Sequence, residues 1–441
     1  MAGVKSDKVK KIQTMALSLL VIAGVINYFD RIALSIANPA VTAELDLTAA
    51  EMGLLLSAFS LPYAIAQLPM GILLDRLGAR VMLGAGLMLW SVAQLASGLV
   101  HSLQHFFVAR VLLGVGEAPQ FPAGAKVFSE WYALSERGKP TGIFVASTTI
   151  APALAPPVLT IMMLAFGWRG MFIILGVVGI LAAIGWYAMY RDRRDVALEP
   201  DEVDYLSGVD RVASDDNQMT VSEWKSLFFK QTTWGIALGF MGVIYMVFLY
   251  VTWLPAYLQQ ERGLSIAESG WVLMIPFIGG TLGQISSGLA SDKLLARGLS
   301  PIASRKWPIC IGLVFAALFT VPAAFTPNLS LAVLCLTLAM FFVNLASGGS
   351  WALVSVAAPR RLVASLGSIM NFGGYLAGAA APLVTGLVVD KTGSFVNALL
   401  ISAAVALAGA LAYIFIVKAP IVDPATEQES GGPLGPAEPA K

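Results

Sequence analysis

Four ionisable side chains stand where their neighbours are apolar. Asp30 and Arg31 lie side by side in Asn27-Tyr28-Phe29-Asp30-Arg31, deep in an apolar run that starts near Met15, and Arg110 and Glu117 interrupt a second run. A charge at bilayer depth costs roughly 2.5–3.5 kcal/mol on insertion scales, so such groups persist by pairing or by lining a polar cavity. Two arginines and two acids sum to zero. A site for a phosphate dianion would keep uncompensated positive charge, and a site for an organic cation would keep acids without arginines. The balanced set suits a carboxylate that arrives with protons. Arg31 is the candidate for holding that carboxylate, bidentate geometry being arginine's strength. Glu117, desolvated in a mostly apolar helix, is the candidate for taking the proton, with Asp30 and Arg110 completing the coupling set.

Other polar residues in apolar runs are candidate readers of substrate hydroxyls: Tyr63, Gln67, Thr148, Ser350 and Asn371. Bridging between helices is the competing reading for each. Asn371 is favoured because Gly367, Gly373, Gly374 and Gly378 surround it and let helices approach or bend. Trp351 and Trp253 could cover the ring or chain of a substrate, although anchoring at the membrane interface competes for Trp253. His101 and His105 lie at a loop end without carboxylates or thiols at ligand spacing, and Cys310 and Cys335 fall inside apolar runs. Neither a metal site, a disulfide nor a cofactor is expected.

The elements that must hold these residues are those of a polytopic membrane protein. The chain has 441 residues, of which 57% are hydrophobic and 12% charged, with a mean hydropathy of +0.76. A soluble domain carries about 25% charged residues. The net charge of +1 gives no reason to expect a nucleic-acid partner. Windows of about 20 apolar residues predict twelve spans, near 14–37, 51–74, 80–99, 104–127, 140–162, 169–190, 231–257, 267–290, 306–325, 329–351, 363–386 and 395–418. The first follows a lysine-rich start, but no small-residue cleavage site with a soluble domain after it appears, so it reads as a retained span. With the N-terminus cytoplasmic, the tails and cytoplasmic loops hold all but five of the 28 lysines and arginines, namely Arg31, Arg110, Arg169, Arg262 and Lys391. That asymmetry puts both termini inside. The expected organisation is a tail over 1–13, a six-helix bundle over 14–190, a linker with a surface helix over 191–230, a second six-helix bundle over 231–418 and a disordered tail over 419–441.

The two halves repeat. Gly71-Ile72-Leu73-Leu74-Asp75-Arg76 follows the second span and Gly288-Leu289-Ala290-Ser291-Asp292-Lys293 the eighth, and the interval from Gly71 to Gly288 equals that from Asp75 to Asp292. Two parallel six-helix halves with a site between them at mid-membrane are the requirement of a rocker-type transporter.

Gly71, Asp75, Arg76, Gly78 and Arg80, with Asp292 and Lys293 as a weaker second copy, resemble the loop signature of the major facilitator superfamily. The resemblance implies an all-α membrane fold of twelve transmembrane helices in two six-helix bundles, and a gating role for these residues. In that family they clasp the cytoplasmic ends of the halves while the carrier faces outward. An acid beside a helix N-terminus with a basic partner suits such a clasp. Within the superfamily, Asn27 to Arg31, Ser57-Ala58-Phe59 with Tyr63, Arg110 to Gly116-Glu117-Ala118-Pro119, Trp253-Leu254-Pro255, Ser350-Trp351 and Asn371-Phe372-Gly373-Gly374 are similar to the anion:cation symporter family. Its bacterial members carry sugar acids with protons, and phthalate- and tartrate-type permeases stand next to them. The D-galactonate type has a substrate-binding glutamine in the fifth span where this chain has Thr148. Spans one and four are neighbours in the family fold, so Asp30 is expected to pair with Arg110. Glu117, two turns or ~10 Å deeper, is then expected to sit alone near the cavity centre, and Arg31 to point into the cavity.

The resemblance thus implies a monomeric, proton-coupled importer of an organic carboxylate in a bacterial inner membrane, its partners being the small anion, protons and the bilayer. An exporter or antiporter of small organic anions or drug-like compounds is the alternative, although Ala151-Pro152 and Ala155-Pro156-Pro157 stand where drug:proton antiporters carry a Gly-rich pattern. A membrane-embedded enzyme would need a nucleophile–base or metal-ligand set that two interfacial histidines do not supply. A non-transporting nutrient sensor on this fold would be expected to lose Asp30 and Glu117.

Overall fold

In hydrocarbon no water is at hand for unpaired backbone groups, so apolar windows of this length fold as helices. The computed structural model describes residues 6–133, 136–207, 221–359 and 362–421, the side chains of 148, 149, 207, 221–223 and 364 excepted. The loop around 134–135, the acidic part of the linker, Arg360, Arg361 and the tail expected to be disordered beyond 421 lie outside the described residues.

Among the described residues twelve spans are found. The first is Asp7–Glu44 and the second Ala49–Leu77, broken at Ala58–Phe59. The third is Ala79–Ser97. The fourth is made of Leu103–Glu117 and Gln120–Trp131, broken at Ala118 and Pro119. Gly138–Met189 holds the fifth and sixth, divided at Gly167, which takes φ 70°. The second half runs Gln231–Gln260, Ile266–Ala296, Pro301–Phe325, Leu329–Ala357, Val363–Thr392 and Val396–Phe415.

Most helices outrun the apolar windows. The first begins at Asp7 rather than 14 because the Ser6 hydroxyl caps it, accepting the Val9 N–H at 3.1 Å. Gln13 then ties it to the fourth span, donating to the Trp131 carbonyl and accepting the Tyr132 hydroxyl at its own carbonyl. The linker helix Pro200–Ser207 packs on the same corner. Ser6 and the Glu199 N–H hold the Glu202 carboxyl below the usual carboxylate range, and Tyr205 donates to Glu136 at 2.6 Å. Internal repetition reaches the helix caps. Thr48 with Glu51 opens the second span by a reciprocal capping box, and Ser265 with Glu268 opens the eighth in the same way, at the interval that separates Gly71 from Gly288.

The face that carries Ser6 and Ile421 is called the tail face, the other the far face. One continuous apolar core joins the far half of the first bundle, from Ile32 to Leu56 and at Leu159 and Phe172, to the whole second bundle. The tail-side half of the first bundle has a separate core around Leu20, Trp90, Trp131 and Trp186. The seam between the halves is therefore packed at the far face. There a Cβ at Gly386 would fall 2.3 Å from the Ala49 carbonyl, and one at Gly53 2.6 Å from the Pro382 carbonyl. Asp390 accepts the Ala49 N–H at 3.2 Å, closing the start of the second span onto the eleventh. Toward the tail face the contacts thin out, and Cβ positions at Gly71, Gly142 and Gly288 meet nothing within 4 Å.

Backbone this close leaves no room for a side chain. Gly386→Leu should hold the far face apart, lengthening the distance between spin labels placed at Asp46 and Lys391; an unchanged distance distribution would contradict this packing.

Candidate functional site

The four charged groups gather where the first, second, third and fourth spans meet. Glycines make the approach possible. A Cβ at Gly114 would lie 2.5 Å from the Phe59 carbonyl, and one at Gly116 2.7 Å from the Trp90 nitrogen. The fourth span thus presses against the second and third just before it breaks at Ala118–Pro119. Glu117, the last residue of that segment, is fully buried.

Arg31 donates from Nε to Glu117 Oε2 at 2.6 Å, the two side chains being 13% and 0% exposed. Three aromatic rings enclose the guanidinium: Tyr28 at 5.2 Å, Phe59 at 4.7 Å and Tyr63 at 4.8 Å from ring centroid to Cζ. Cation–π contact of this kind contributes about 0.5–2 kcal/mol, most where water is excluded. Arg110, 5.8 Å from the Phe59 centroid, reaches the backbone carbonyl of Asp30 at 3.5 Å. Among the described residues both carboxylate oxygens of Asp30 are buried without a hydrogen bond of good geometry, as are the side-chain amide of Asn27, which lies beside Glu117, and the Trp90 indole N–H, which lies beside Asp30.

The expected pairing is therefore corrected. Glu117 is not alone at the centre but bound to Arg31, and Asp30 forms no ion pair with Arg110 among the described residues. Helix rise fixes depth, whereas rotation about each axis decides partners, and it is Arg31 rather than Asp30 that reaches an ion pair on the fourth span.

From Tyr63 a polar line crosses the seam. Gln67 donates to the Tyr63 hydroxyl at 2.8 Å and accepts from Asn371 at 3.4 Å. The Tyr63 and Tyr375 rings meet at 4.7 Å. Trp351, 47% exposed, stands edge-on to Phe240 at 6.2 Å, beside Gly367. Ser350 is not brought to this line: its buried hydroxyl accepts from Tyr413 at 2.9 Å and donates to the Ala346 carbonyl, joining the tenth and twelfth spans. Trp253 is buried as well, donating to the Pro382 carbonyl. The backbone of Thr148 is helical, but its side chain lies outside the described residues.

The loop residues form a separate cluster at the tail face. Gly78, at φ 86°, ends one helix and starts the next, and a Cβ there would strike Asp192. Asp192 accepts the Arg80 N–H at 3.1 Å, while Arg194 donates to the Arg76 and Leu77 carbonyls. Asp75 pairs with Lys126 of its own half at 3.1 Å. Gly71 faces open space, and Asp292 and Lys293 are exposed.

Asn27, Tyr28, Phe59, Trp90 and Tyr375 were missed as members of the site. Spacing held a signal for two of them: Asn27 lies four residues before Arg31, and Tyr375 four after Asn371, each on a shared helix face.

The sequence profile described as Major Facilitator Superfamily matches residues 20–382. The chain belongs to that superfamily. Among its relatives, a probable L-galactonate transporter of Escherichia coli (strain K12) is 46% identical over 420 residues, covering 95% of this chain and 92% of the relative. A D-galactonate transporter of Escherichia coli O6:H1 is 32% identical over 412 residues, covering 91% and 95%. Among solved structures, a bacterial homolog to the human lysosomal transporter Spinster superposes with a TM-score of 0.71 at 19% identity, covering 92% of this chain and 95% of that one. The superfamily assignment makes the protein a multi-pass membrane transporter rather than an enzyme, with the major facilitator fold that the resemblance of its loop residues implies.

Removing one partner of a buried pair leaves a bare charge and costs about 3–5 kcal/mol. Arg31→Ala should therefore lower the unfolding midpoint of the purified carrier, and adding Glu117→Gln should restore much of the loss. A single variant that melts with the parent would show that the pair is not buried as described.

Proposed function

We propose that the protein imports an organic carboxylate of the sugar-acid class together with protons, exposing one central site to each side of a bacterial inner membrane in turn. The observation that carries this reading is the Arg31–Glu117 pair, enclosed by Tyr28, Phe59 and Tyr63 at the seam between the halves. A substrate carboxylate and the Glu117 carboxylate compete for the same guanidinium. When substrate takes Arg31, Glu117 is left buried and unpaired, and a proton removes the expense of its charge. Binding and protonation are thereby linked through one side chain.

The relatives named for L-galactonate and D-galactonate support the substrate class. So does the polar line Tyr63, Gln67 and Asn371, which offers hydroxyl, amide and carbonyl groups to a polyhydroxylated chain; Thr148 remains a candidate of the same kind, with Trp351 covering the chain, whereas the Ser350 hydroxyl is engaged with Tyr413. Asp30, whose carboxylate oxygens lack a hydrogen bond of good geometry, is the second proton acceptor, and Arg110 against its backbone holds it in place. One proton with a monoanion moves no net charge; a second makes uptake electrogenic, each charge being driven by ~2.3 kcal/mol per 100 mV.

The tail face is cytoplasmic on the distribution of lysine and arginine, which puts both termini inside. The present arrangement is then open inward. Gly71, Asp75, Arg76, Gly78, Arg80, Asp292 and Lys293 form the gate that closes this face, Asp75 leaving Lys126 for the second half as the ends come together. The carrier works as a monomer, each chain holding a complete site.

In proteoliposomes loaded for L-galactonate uptake, Glu117→Gln should abolish accumulation driven by a pH gradient yet keep counterflow exchange, since Arg31 can still bind substrate. Continued concentration of substrate against a gradient by the variant would end the proton role of Glu117.

A further inference from the structure

On the outer surface of the first bundle an apolar groove of about 360 Å³ runs between the third and sixth spans. Val81, Gly84, Ala85 and Met88 line one side, and Ala183 and Tyr187 stand on the other. Small residues leave the hollow, which extends ~10 Å along the third span at about 1.5 Å per residue. The groove begins in the first turn of the third span and beside the last turn of the sixth, so its mouth lies at the level of the membrane interface on the tail face.

Two arginines stand at that mouth. The Arg80 guanidinium lies over the Tyr187 ring at 4.4 Å and donates from Nε to the Tyr187 carbonyl at 3.0 Å. Arg191 gives one terminal nitrogen to the carbonyls of Tyr187, Ala188 and Tyr190. Among the described residues no carboxylate comes within 4.0 Å of either guanidinium. Asp192, next in the chain to Arg191, is buried against Gly78 and engaged with the Arg80 backbone N–H. Both arginines are thus fixed by carbonyls and an aromatic face, and among the described residues neither has a carboxylate partner.

We propose that this groove is a binding site for one anionic phospholipid, an acyl chain lying between the third and sixth spans and the phosphate held by Arg80 and Arg191. The charge at the mouth matches a phosphate, for which guanidinium geometry is suited, and basic pockets between transmembrane helices at this level bind acidic headgroups. A hollow lined by Ala, Gly, Val, Met and Ile with the Tyr187 ring, on the outer surface of the bundle, matches hydrocarbon rather than a polar solute. The site lies outside the central seam and touches the loop through Arg80, so an occupied groove stiffens the Gly78 turn without entering the transport path.

The full-length carrier in detergent is titrated with phosphatidylglycerol and with phosphatidylcholine of the same chain lengths, counting bound lipid by native mass spectrometry. One phosphatidylglycerol should be retained at least tenfold more tightly than phosphatidylcholine. The double variant Arg80→Gln/Arg191→Gln should lose that preference, and Arg80→Lys/Arg191→Lys should keep most of it. Ala85→Phe, which fills the groove from its exposed side, should weaken retention with both arginines in place. Equal binding of the two lipids by the parent, or undiminished preference in the glutamine variant, would overturn the proposal. Glycerol phosphate alone binding as well as the lipid would overturn it too, by showing a soluble-anion site.

Discussion

A charge pair buried at bilayer depth is tolerable only while both partners stay in contact, and this constraint shapes the first bundle. Arg31 and Glu117 sit on different helices and meet at 2.6 Å. For that, the fourth span must come close enough to the second and third that a methyl group at Gly114 or Gly116 would strike backbone. The break at Ala118–Pro119 follows at once, so Glu117 ends a helix segment rather than sitting inside one. Glycine before the acid and proline after it therefore serve one geometry. Phe59, whose carbonyl Gly114 admits, is also the ring nearest the Arg31 guanidinium.

The scaffold is doubled but the charge is not. The capping boxes at Thr48 and Ser265 and the glycine–aspartate loops at Gly71 and Gly288 recur at one shared interval. At the same interval from Arg31 stands Phe248, which packs edge-on to Tyr375 at 6.0 Å, and Tyr375 meets Tyr63 over the seam. One half thus holds the ions and the other presents aromatic and amide groups to them. A site assembled this way is complete only while the halves are together at its depth, which on the proposed reading makes it sensitive to their rocking.

Much of this was legible in the sequence, because hydropathy windows, lysine and arginine counts and a repeat interval all follow from burial and solvation along one dimension. The twelve spans, the doubled fold and the membership of the charged quartet belong to that dimension. What was not legible depends on rotation and close approach. The partner of Glu117 is set by which way two helices turn, and a depth estimate carries no such information. Ser350 looked like a polar group facing a cavity and is spent on Tyr413. The contacts of Phe59 and Tyr375 were not legible, because nothing in an aromatic residue's type says whether it meets lipid or a guanidinium.

On the proposed reading, the same desolvation cost orders the transport cycle. With no substrate, Arg31 and Glu117 neutralise each other, so rocking of the empty halves leaves neither of these two charges bare. Substrate alone splits the pair and leaves Glu117 ionised in a fully buried position. A bare buried charge costs several times the free energy that changes a population tenfold, so the closed state with substrate and no proton is suppressed by orders of magnitude. A proton alone leaves Arg31 unmatched and is suppressed for the same reason. Only the empty and the doubly loaded forms leave neither Arg31 nor Glu117 as an unmatched charge, and on the proposed reading a carrier confined to those two forms is a symporter.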